Sequence, residues 1–232
     1  MKHTLPPLAA SAALAVWSCL APTTPATRPA PAGFPCTPPV TFCDQALPPE
    51  LLTLSCFKGR SSRADAPPMD LAPLACAPQL EALYLVDGEL EFILPLALDD
   101  LGPLAHLTRL KVLRLDHTTA TDLRPLAGLV ALEDLSLHAT PAKSVKPLKT
   151  LKNIKTLDLS GSAVEDLTPL AGLDQLESLD LTHAPVTDLT PLLGLPRLRW
   201  LGIAPESPAN PAGLEALRAA RPELKITVGR RY

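Results

Sequence analysis

One phrase of 22 residues is written four times between residues 107 and 194, with no insertion between the copies. A leucine opens every copy and the stretch that follows the last one, at Leu107, Leu129, Leu151, Leu173 and Leu195. Two further leucine series keep the same step, at 113, 135, 157 and 179 and at 115, 137, 159 and 181. Because one copy is too short to bury its own apolar side, the period predicts a solenoid whose coils pack on their neighbours.

Each Leu-x-Leu pair predicts a short parallel strand, because alternation along a strand sends both leucines inward and the flanking residues outward. The predicted strands are 83–85, 113–115, 135–137, 157–159, 179–181 and 201–203. An aspartate before Leu-x-Pro-Leu predicts a capped single turn on the opposite side, at Asp70, Asp100, Asp122, Asp166 and Asp188, with Ser144 in the same place. The predicted fold class is therefore α/β, with a concave parallel sheet and short 3₁₀ or α turns on the convex side.

The repeated phrase resembles the leucine-rich repeat, LxxLxLxx(N/T)xV-xDLxPLxxL. Its length is similar to the class found in bacterial internalins and in the regulatory subunit of protein phosphatase 1. The resemblance covers about residues 70–206 and implies a leucine-rich-repeat solenoid. Many repeats of this family place a capping asparagine where this chain has Thr118, Thr140, Ser162 and Ala184. A hydroxyl caps the turn more weakly than an amide, and alanine has no polar side chain. We therefore expect the backbone groups of the turn at Ala184 to be the least well hydrogen-bonded.

The start of the chain is typical of an export signal, residues 1–18, with Lys2 and His3 before an apolar run that is too short to span a bilayer. The run ends in Val-Trp-Ser-Cys, which resembles a bacterial lipobox and implies lipidation of Cys19. Because no acidic residue follows Cys19 directly, that pattern favours the outer membrane. Cleavage without lipidation, giving a secreted protein, is the alternative. Residues 19–35 are rich in Ala, Pro and Thr and predict an extended tether.

Four cysteines precede the regular repeats, at Cys36, Cys43, Cys56 and Cys76. In an exported protein they predict a disulfide-stapled cap with the first, degenerate repeat, residues 36–79. Proximity favours pairing Cys36 with Cys43 and Cys56 with Cys76, although the sequence does not choose among the three possible pairings. Zinc is disfavoured, because the spacing contains no CxxC and no histidine lies nearby.

The repeats, residues 80–206, are followed by a predicted C-terminal cap, residues 207–232. A first degenerate strand is expected at 51–54, a final helix at 212–221 and a final strand at 224–228. The first copy carries five extra residues within 86–99. The apolar side chains at 92–94 in this insert either pack on the front cap or form an exposed contact patch.

The outward strand positions form a ladder on the concave face, and they contain the candidate partner-binding residues. These are Tyr84, Arg114, Asp116, Asp134, His138, Asp158, Asp180 and Trp200. Ser160 is expected to face solvent on the same ladder. An exposed tryptophan is typical of binding hot spots, and packing against the C-terminal cap is the alternative for Trp200.

Motifs for catalysis are missing, since the chain has no G-x-S-x-G, P-loop or H-E-x-x-H. His117 and His183 fall one position past their strands, so we expect neither to join His138 in a metal site, and no cofactor is expected. A net charge of −3 with scattered basic residues argues against a nucleic-acid partner.

We therefore predict a monomeric, non-enzymatic module that binds a protein ligand and is displayed on the cell envelope by a lipid anchor. The alternatives are a secreted internalin-like adhesion or effector protein and an envelope hydrolase that uses concave-face His and Asp. Phosphatase regulation conflicts with the export signal.

Overall fold

Leucine at alternating positions forces each predicted strand to bury one side, and the strands satisfy this by stacking in chain order. The computed structural model describes residues 41–42, 45–46, 51–57, 68–86, 95–205 and 211–229. An antiparallel hairpin, β1 (Thr41–Phe42) and β2 (Gln45–Ala46), precedes a parallel eight-stranded sheet that runs from β3 to β10 in sequence order. The sheet strands are β3 (Thr53–Phe57), β4 (Ala82–Val86), β5 (Val112–Arg114), β6 (Asp134–Ser136), β7 (Thr156–Asp158), β8 (Ser178–Asp180), β9 (Trp200–Ile203) and β10 (Lys225–Val228). The predicted α/β solenoid is confirmed.

The strands pair without any shift in register along the repeats. Leu135 of β6 lies opposite Leu157 of β7, which lies opposite Leu179 of β8. All three leucines are buried, as are the leucines that open the copies. The step of 22 residues therefore produces continuous columns of leucine, and these columns are the core.

Short 3₁₀ turns occupy the convex side, and each has proline in its first turn. They are Ala72–Cys76, Gly102–His106, Arg124–Gly128, Lys146–Thr150, Thr168–Leu170 and Thr190–Gly194. The predicted caps are present: each capping side chain accepts a hydrogen bond from the backbone N–H two residues later. Asp166 Oδ1, for example, accepts a hydrogen bond from the Thr168 N–H at 2.8 Å. Ser144 makes the corresponding contact with the Lys146 N–H at a longer 3.4 Å.

The turn after each strand agrees with the expectation at Thr118 and Thr140 and departs from it at Ser162 and Ala184. The hydroxyls of Thr118 and Thr140 donate to the carbonyls three residues earlier, at 2.9 and 2.8 Å. Ser162 Oγ is buried and has no hydrogen-bond partner among the described residues. The prediction that the turn at Ala184 is the least well satisfied is wrong. The Ala184 N–H donates to Leu181 O at 3.0 Å, and alanine has no side-chain polar group that could be left without a partner within the described residues, as the hydroxyl of Ser162 is.

One position in this turn requires a left-handed backbone in four successive coils. The residues are His117 (φ 54°), Ala139 (φ 52°), Gly161 (φ 65°) and His183 (φ 61°). Only glycine adopts this conformation without steric cost, so three of the four coils carry local strain. The leucine repeat does not indicate this position, because the residue type there changes from coil to coil.

A row of charged residues immediately precedes strands β4 to β9 and alternates in sign. Its members are Glu81, Lys111, Glu133, Lys155, Glu177 and Arg199. Lys111 Nζ lies 2.9 Å from Glu81 Oε2, and Lys155 Nζ lies 2.5 Å from Glu133 Oε2. Such surface pairs contribute little stability individually. Because the sheet is in register, the neighbours of each charged residue within this row all carry the opposite charge.

The two ends of the array match the predictions unevenly. The degenerate strand expected at 51–54 begins two residues later, as β3, and pairs with β4 from Thr53 opposite Ala82. The C-terminal helix α1 (Pro211–Ala220) and β10 agree with prediction within one residue at each end. Residues 92–94 of the insert, the export signal, Cys19 and the tether lie outside the described residues. So do the side chains of Cys36, Cys43 and Cys56, and the disulfide-stapled cap stays a prediction.

The helices in the described residues are all short, and none has both the length and the apolar character that crossing a bilayer requires.

Candidate functional site

The concave face is formed by the outward side chains of β4 to β9 and of the residue that follows each strand. All eight predicted partner-binding residues lie on it, and each is half-buried. The chemistry of this face differs from one end to the other.

The N-terminal half of the face contains a salt bridge and a carboxylate that is hydrogen-bonded to a serine. Arg114 forms a salt bridge with Asp134, with 3.1 Å between Nη2 and Oδ2. Ser136 Oγ donates a hydrogen bond to Asp116 Oδ1, and Ser136 is completely buried. Tyr84 lies at the end of this half, on β4.

A hydrogen-bonded chain crosses the middle of the face from Asp158 through Ser160 to His138. The Ser160 N–H and Oγ donate to Asp158 Oδ1 at 2.8 and 2.5 Å. His138 Nδ1 lies 2.7 Å from Ser160 Oγ. The expectation that Ser160 faces solvent is wrong, because these neighbours cover it and leave 7% of its surface exposed.

This chain does not have the order of a hydrolytic triad. In a triad the histidine lies between the nucleophilic hydroxyl and the carboxylate, so that it can take the proton of the hydroxyl. Here the hydroxyl of Ser160 lies between Asp158 and His138, and both bonds hold it in place. The arrangement therefore orients His138 on the sheet and gives no support to the hydrolase alternative.

The imidazoles of His117 and His138 meet edge to face, with ring centroids 4.7 Å apart. His117 therefore contacts His138, although it lies beyond the end of its strand. His183 has the same left-handed backbone as His117 but is exposed. In the described part of the chain, no three His, Cys, Asp or Glu side chains lie close enough together to hold a metal ion.

At the C-terminal half, two carboxylates lie side by side. Asp158 and Asp180 are directly opposite each other on β7 and β8. Asp180 Oδ1 accepts hydrogen bonds from the Thr182 N–H at 2.9 Å and from Thr182 Oγ1 at 2.6 Å. Burial raises the pKa of Asp158 above its ordinary value, and the charge of Asp180 adds to this, while the hydrogen bonds from Ser160 oppose it.

Trp200 lies over the glycine two residues ahead of it on β9. A Cβ placed on Gly202 would lie 2.6 Å from Trp200 Cη2 and 2.6 Å from Asp180 Oδ1, so the indole and the carboxylate converge above this glycine. Trp200 Nε1 donates to Thr227 Oγ1 of β10 at 3.0 Å. The indole thus contacts the final strand and also contributes a half-buried surface to the concave face.

Solved structures with the same architecture identify the fold. Internalin C2 from Listeria monocytogenes is 26% identical over 77% of this chain and 73% of that protein, with a TM-score of 0.62. The chain folds as a leucine-rich-repeat solenoid. A leucine-rich-repeat protein from Leptospira interrogans, 24% identical over 69% of this chain and 40% of that one, has a TM-score of 0.58 and shows the fold alone. No protein-family profile and no curated protein matches the sequence.

The leucine-rich-repeat solenoid also has a shallow pocket of about 280 Å³ on its convex side. It is lined by Lys143, Ser144, Val145, Lys146, Ala163, Glu165, Asp166 and Pro169. None of these is a histidine, and the pocket lies on the opposite side of the coil from the Asp158–Ser160–His138 chain. A hydrolase that uses concave-face histidine would need a pocket on the sheet.

The roles of three residues in the site were not predicted from the sequence. Ser160 joins Asp158 to His138, Gly202 makes room for the indole, and Thr227 holds it. The only available signal was the glycine itself, because position 202 is the one glycine in a ladder row whose other members carry side chains.

Proposed function

We propose that this solenoid is a non-enzymatic protein-binding module of the bacterial cell envelope, with the concave face as its binding surface. The observation that carries the proposal is the uninterrupted parallel sheet from β4 to β9, whose outward side chains form a ladder with a salt bridge, carboxylates and an indole. A wide face built on regular strands holds its side chains rigidly, which reduces the entropy lost on binding. The likeness to internalin C2 supports a module of this kind.

The binding residues in this proposal are the eight named from the sequence: Tyr84, Arg114, Asp116, Asp134, His138, Asp158, Asp180 and Trp200. Binding energy concentrates at large, partly desolvated side chains, so Trp200, Tyr84 and Arg114 are the expected main contributors. The protein acts as a monomer, with residues 36–79 and 207–232 as the caps of the array.

Display on the envelope rests on the first 35 residues. In this proposal residues 1–18 are removed, Cys19 carries the lipid and residues 19–35 tether the solenoid to the outer membrane. A secreted adhesion or effector protein is the alternative. Mass spectrometry of the native protein distinguishes them. We expect a mature chain that begins at lipidated Cys19, and an unmodified chain that begins further downstream would support the secreted form.

Affinity capture from native membranes, with the mature protein as bait, tests the binding surface. We expect captured proteins to be lost with Ser178→Trp, which places a large neutral side chain in the C-terminal half of the concave face, where Ser178 is half-buried on β8 opposite Trp200. The matched control is Lys149→Trp, at an exposed position of a convex turn. Equal capture by both variants would contradict a concave binding surface.

A further inference from the structure

The two halves of the concave face differ in how their carboxylates are neutralised. Asp134, at the N-terminal half, has the guanidinium of Arg114 within 3.1 Å. Asp158 and Asp180 have only amide and hydroxyl donors within hydrogen-bonding distance, and neither forms a salt bridge with any described lysine or arginine. Asp116 likewise has only the hydroxyl of Ser136 as a donor within the part of the chain that the structure describes, but Asp158 and Asp180 are the two carboxylates without a salt bridge that lie opposite each other on adjacent strands.

Each of these two carboxylates uses one oxygen for the fold and leaves the other open. Oδ1 of Asp158 accepts two hydrogen bonds from Ser160, and Oδ1 of Asp180 accepts two from Thr182. Neither Oδ2 has a hydrogen-bond partner among the described residues, and neither is a buried unsatisfied atom. Since the two residues lie in register on adjacent strands, which are about 4.8 Å apart, a single ligand can reach both Oδ2 atoms.

The indole of Trp200 lies beside this pair. Its Cη2 edge and Asp180 Oδ1 both lie within 2.6 Å of the position that a Gly202 Cβ would occupy. The hydrogen bond to Thr227 fixes the ring in this place. Carboxylates attract cations by charge, and the indole edge beside them gives the apolar stem of a lysine or arginine a surface to pack on.

We propose that the protein ligand presents a lysine or arginine side chain on an extended basic segment, and that its charged end binds the Oδ2 atoms of Asp158 and Asp180 beside Trp200. The inference deepens the proposed concave-face function and rests on it. An organic cation fits better than a metal ion, because calcium and magnesium require six or more oxygen ligands and no third carboxylate of the described residues completes such a set.

The environment of Asp158 favours a bound cation. Burial raises the pKa of Asp158, so the ionised form of Asp158 is held in a less favourable environment than water provides. A cation bound to Oδ2 would relieve that cost. Perturbed carboxyl groups of this kind are found more often at functional sites than elsewhere on a protein.

The probe is a short fluorescein-labelled peptide of alternating lysine and glycine, and its binding is followed by fluorescence anisotropy. Asp158→Asn and Asp180→Asn each should weaken binding about tenfold, which corresponds to about 1.4 kcal/mol. Asn keeps an oxygen for the donors of Ser160 or Thr182, so the fold is preserved. The matched control is Asp174→Asn, which removes the same charge from an exposed position beyond the sheet and should change affinity less than about twofold.

Three outcomes would overturn the inference. If Asp174→Asn weakens the peptide as much as the concave variants do, the attraction is general to the acidic protein. If the same peptide with acetylated lysines binds equally well, no cation is recognised. If calcium ions alone displace the peptide at equimolar concentration, the pair is a metal site.

The failure of this inference is distinguishable from the failure of the concave-face function. The proteins captured from native membranes are tested against Ser178→Trp and against Asp158→Asn with Asp180→Asn. Loss with Ser178→Trp alone leaves the concave surface in place and rejects the basic segment. Loss with neither rejects the concave surface itself.

Discussion

Trp200 Nε1 donates a hydrogen bond to Thr227 Oγ1 across 3.0 Å, and this bond joins the binding ladder to the last strand of the sheet. Trp200 therefore packs against the C-terminal cap and is also half-buried on the face that we propose for binding. A change at either residue should affect stability and binding together.

The first prediction concerns this pair. Thr227→Val should lower the free energy of unfolding by about 1 kcal/mol, because the indole N–H loses its acceptor while the shape of the side chain is retained. It should also weaken binding of the lysine–glycine peptide, since the ring is no longer held above Gly202. Denaturant unfolding and anisotropy measure the two effects. Unchanged unfolding with unchanged binding would show that the hydrogen bond has no role in placing the ring.

The second prediction tests the inward register. Leu157→Ala should cost about 2–5 kcal/mol, because Leu157 is 1% exposed in the middle of the leucine columns. Ser160→Ala should cost about 1 kcal/mol, since Ser160 is buried and hydrogen-bonded on the other side of the same strand region. The exposed Lys149→Ala should stay within about 0.5 kcal/mol. Thermal and urea denaturation should rank the three variants in this order, and any other ranking would contradict the register.

The third prediction compares two equivalent turn positions. Ser162→Ala should leave stability unchanged or raise it by up to about 1 kcal/mol, because it removes a buried hydroxyl with no partner among the described residues. Thr140→Ala should lower stability by about 1 kcal/mol, because the Thr140 hydroxyl donates to Leu137 O at 2.8 Å. Equal losses in the two midpoints of unfolding would indicate that Ser162 is satisfied.

The fourth prediction concerns the left-handed turn position. Ala139→Gly should stabilise the protein by up to about 1 kcal/mol, because glycine adopts a positive φ without steric cost. Gly161→Ala should destabilise it by a similar amount, since a Cβ there meets only ordinary contacts of 3.4 Å or more and the cost is conformational. The two changes act on neighbouring coils and should have opposite signs in denaturant unfolding. The same sign for both would contradict the backbone assignment.

The fifth prediction follows the raised pKa of Asp158. A carboxyl group whose pKa is higher in the folded than in the unfolded state binds protons more tightly when folded, so its contribution to stability is lost as the pH rises through the folded pKa. Asp158→Asn should therefore be more stable than the parent at pH 7, and the difference should disappear toward about pH 4. The control is Asp174→Asn, which removes the same charge from an exposed position. A stability difference between Asp158→Asn and the parent that grows as the pH falls would contradict the raised pKa of Asp158.

Repetition explains how much of the fold the sequence predicts. The leucine columns and the Asp-Leu-x-Pro-Leu turns follow from residues that recur at one step, so each coil confirms the reading of the next. The inward leucines and the capping aspartates are accordingly where the sequence places them. The hairpin of β1 and β2 has no repeated counterpart and was not predicted.

The site is less predictable because it depends on contacts between coils. The alternation of residues along the strand predicts that Ser160 points outward, but it does not predict that Asp158 and His138 cover this side chain. The meeting of His117 with His138 depends on a backbone angle that three different residue types adopt in this array. Trp200 was singled out by its chemistry alone, whereas its position depends on Gly202 and Thr227.

The alternating charges that precede strands β4 to β9 impose a rule of parity on the array. A copy of one coil placed anywhere between Glu81 and Arg199 would keep the leucine columns and the register, yet it would set two residues of the same sign side by side. A copy of two adjacent coils would restore the alternation. Adding or removing coils therefore keeps the charges alternating only when the number of coils is even.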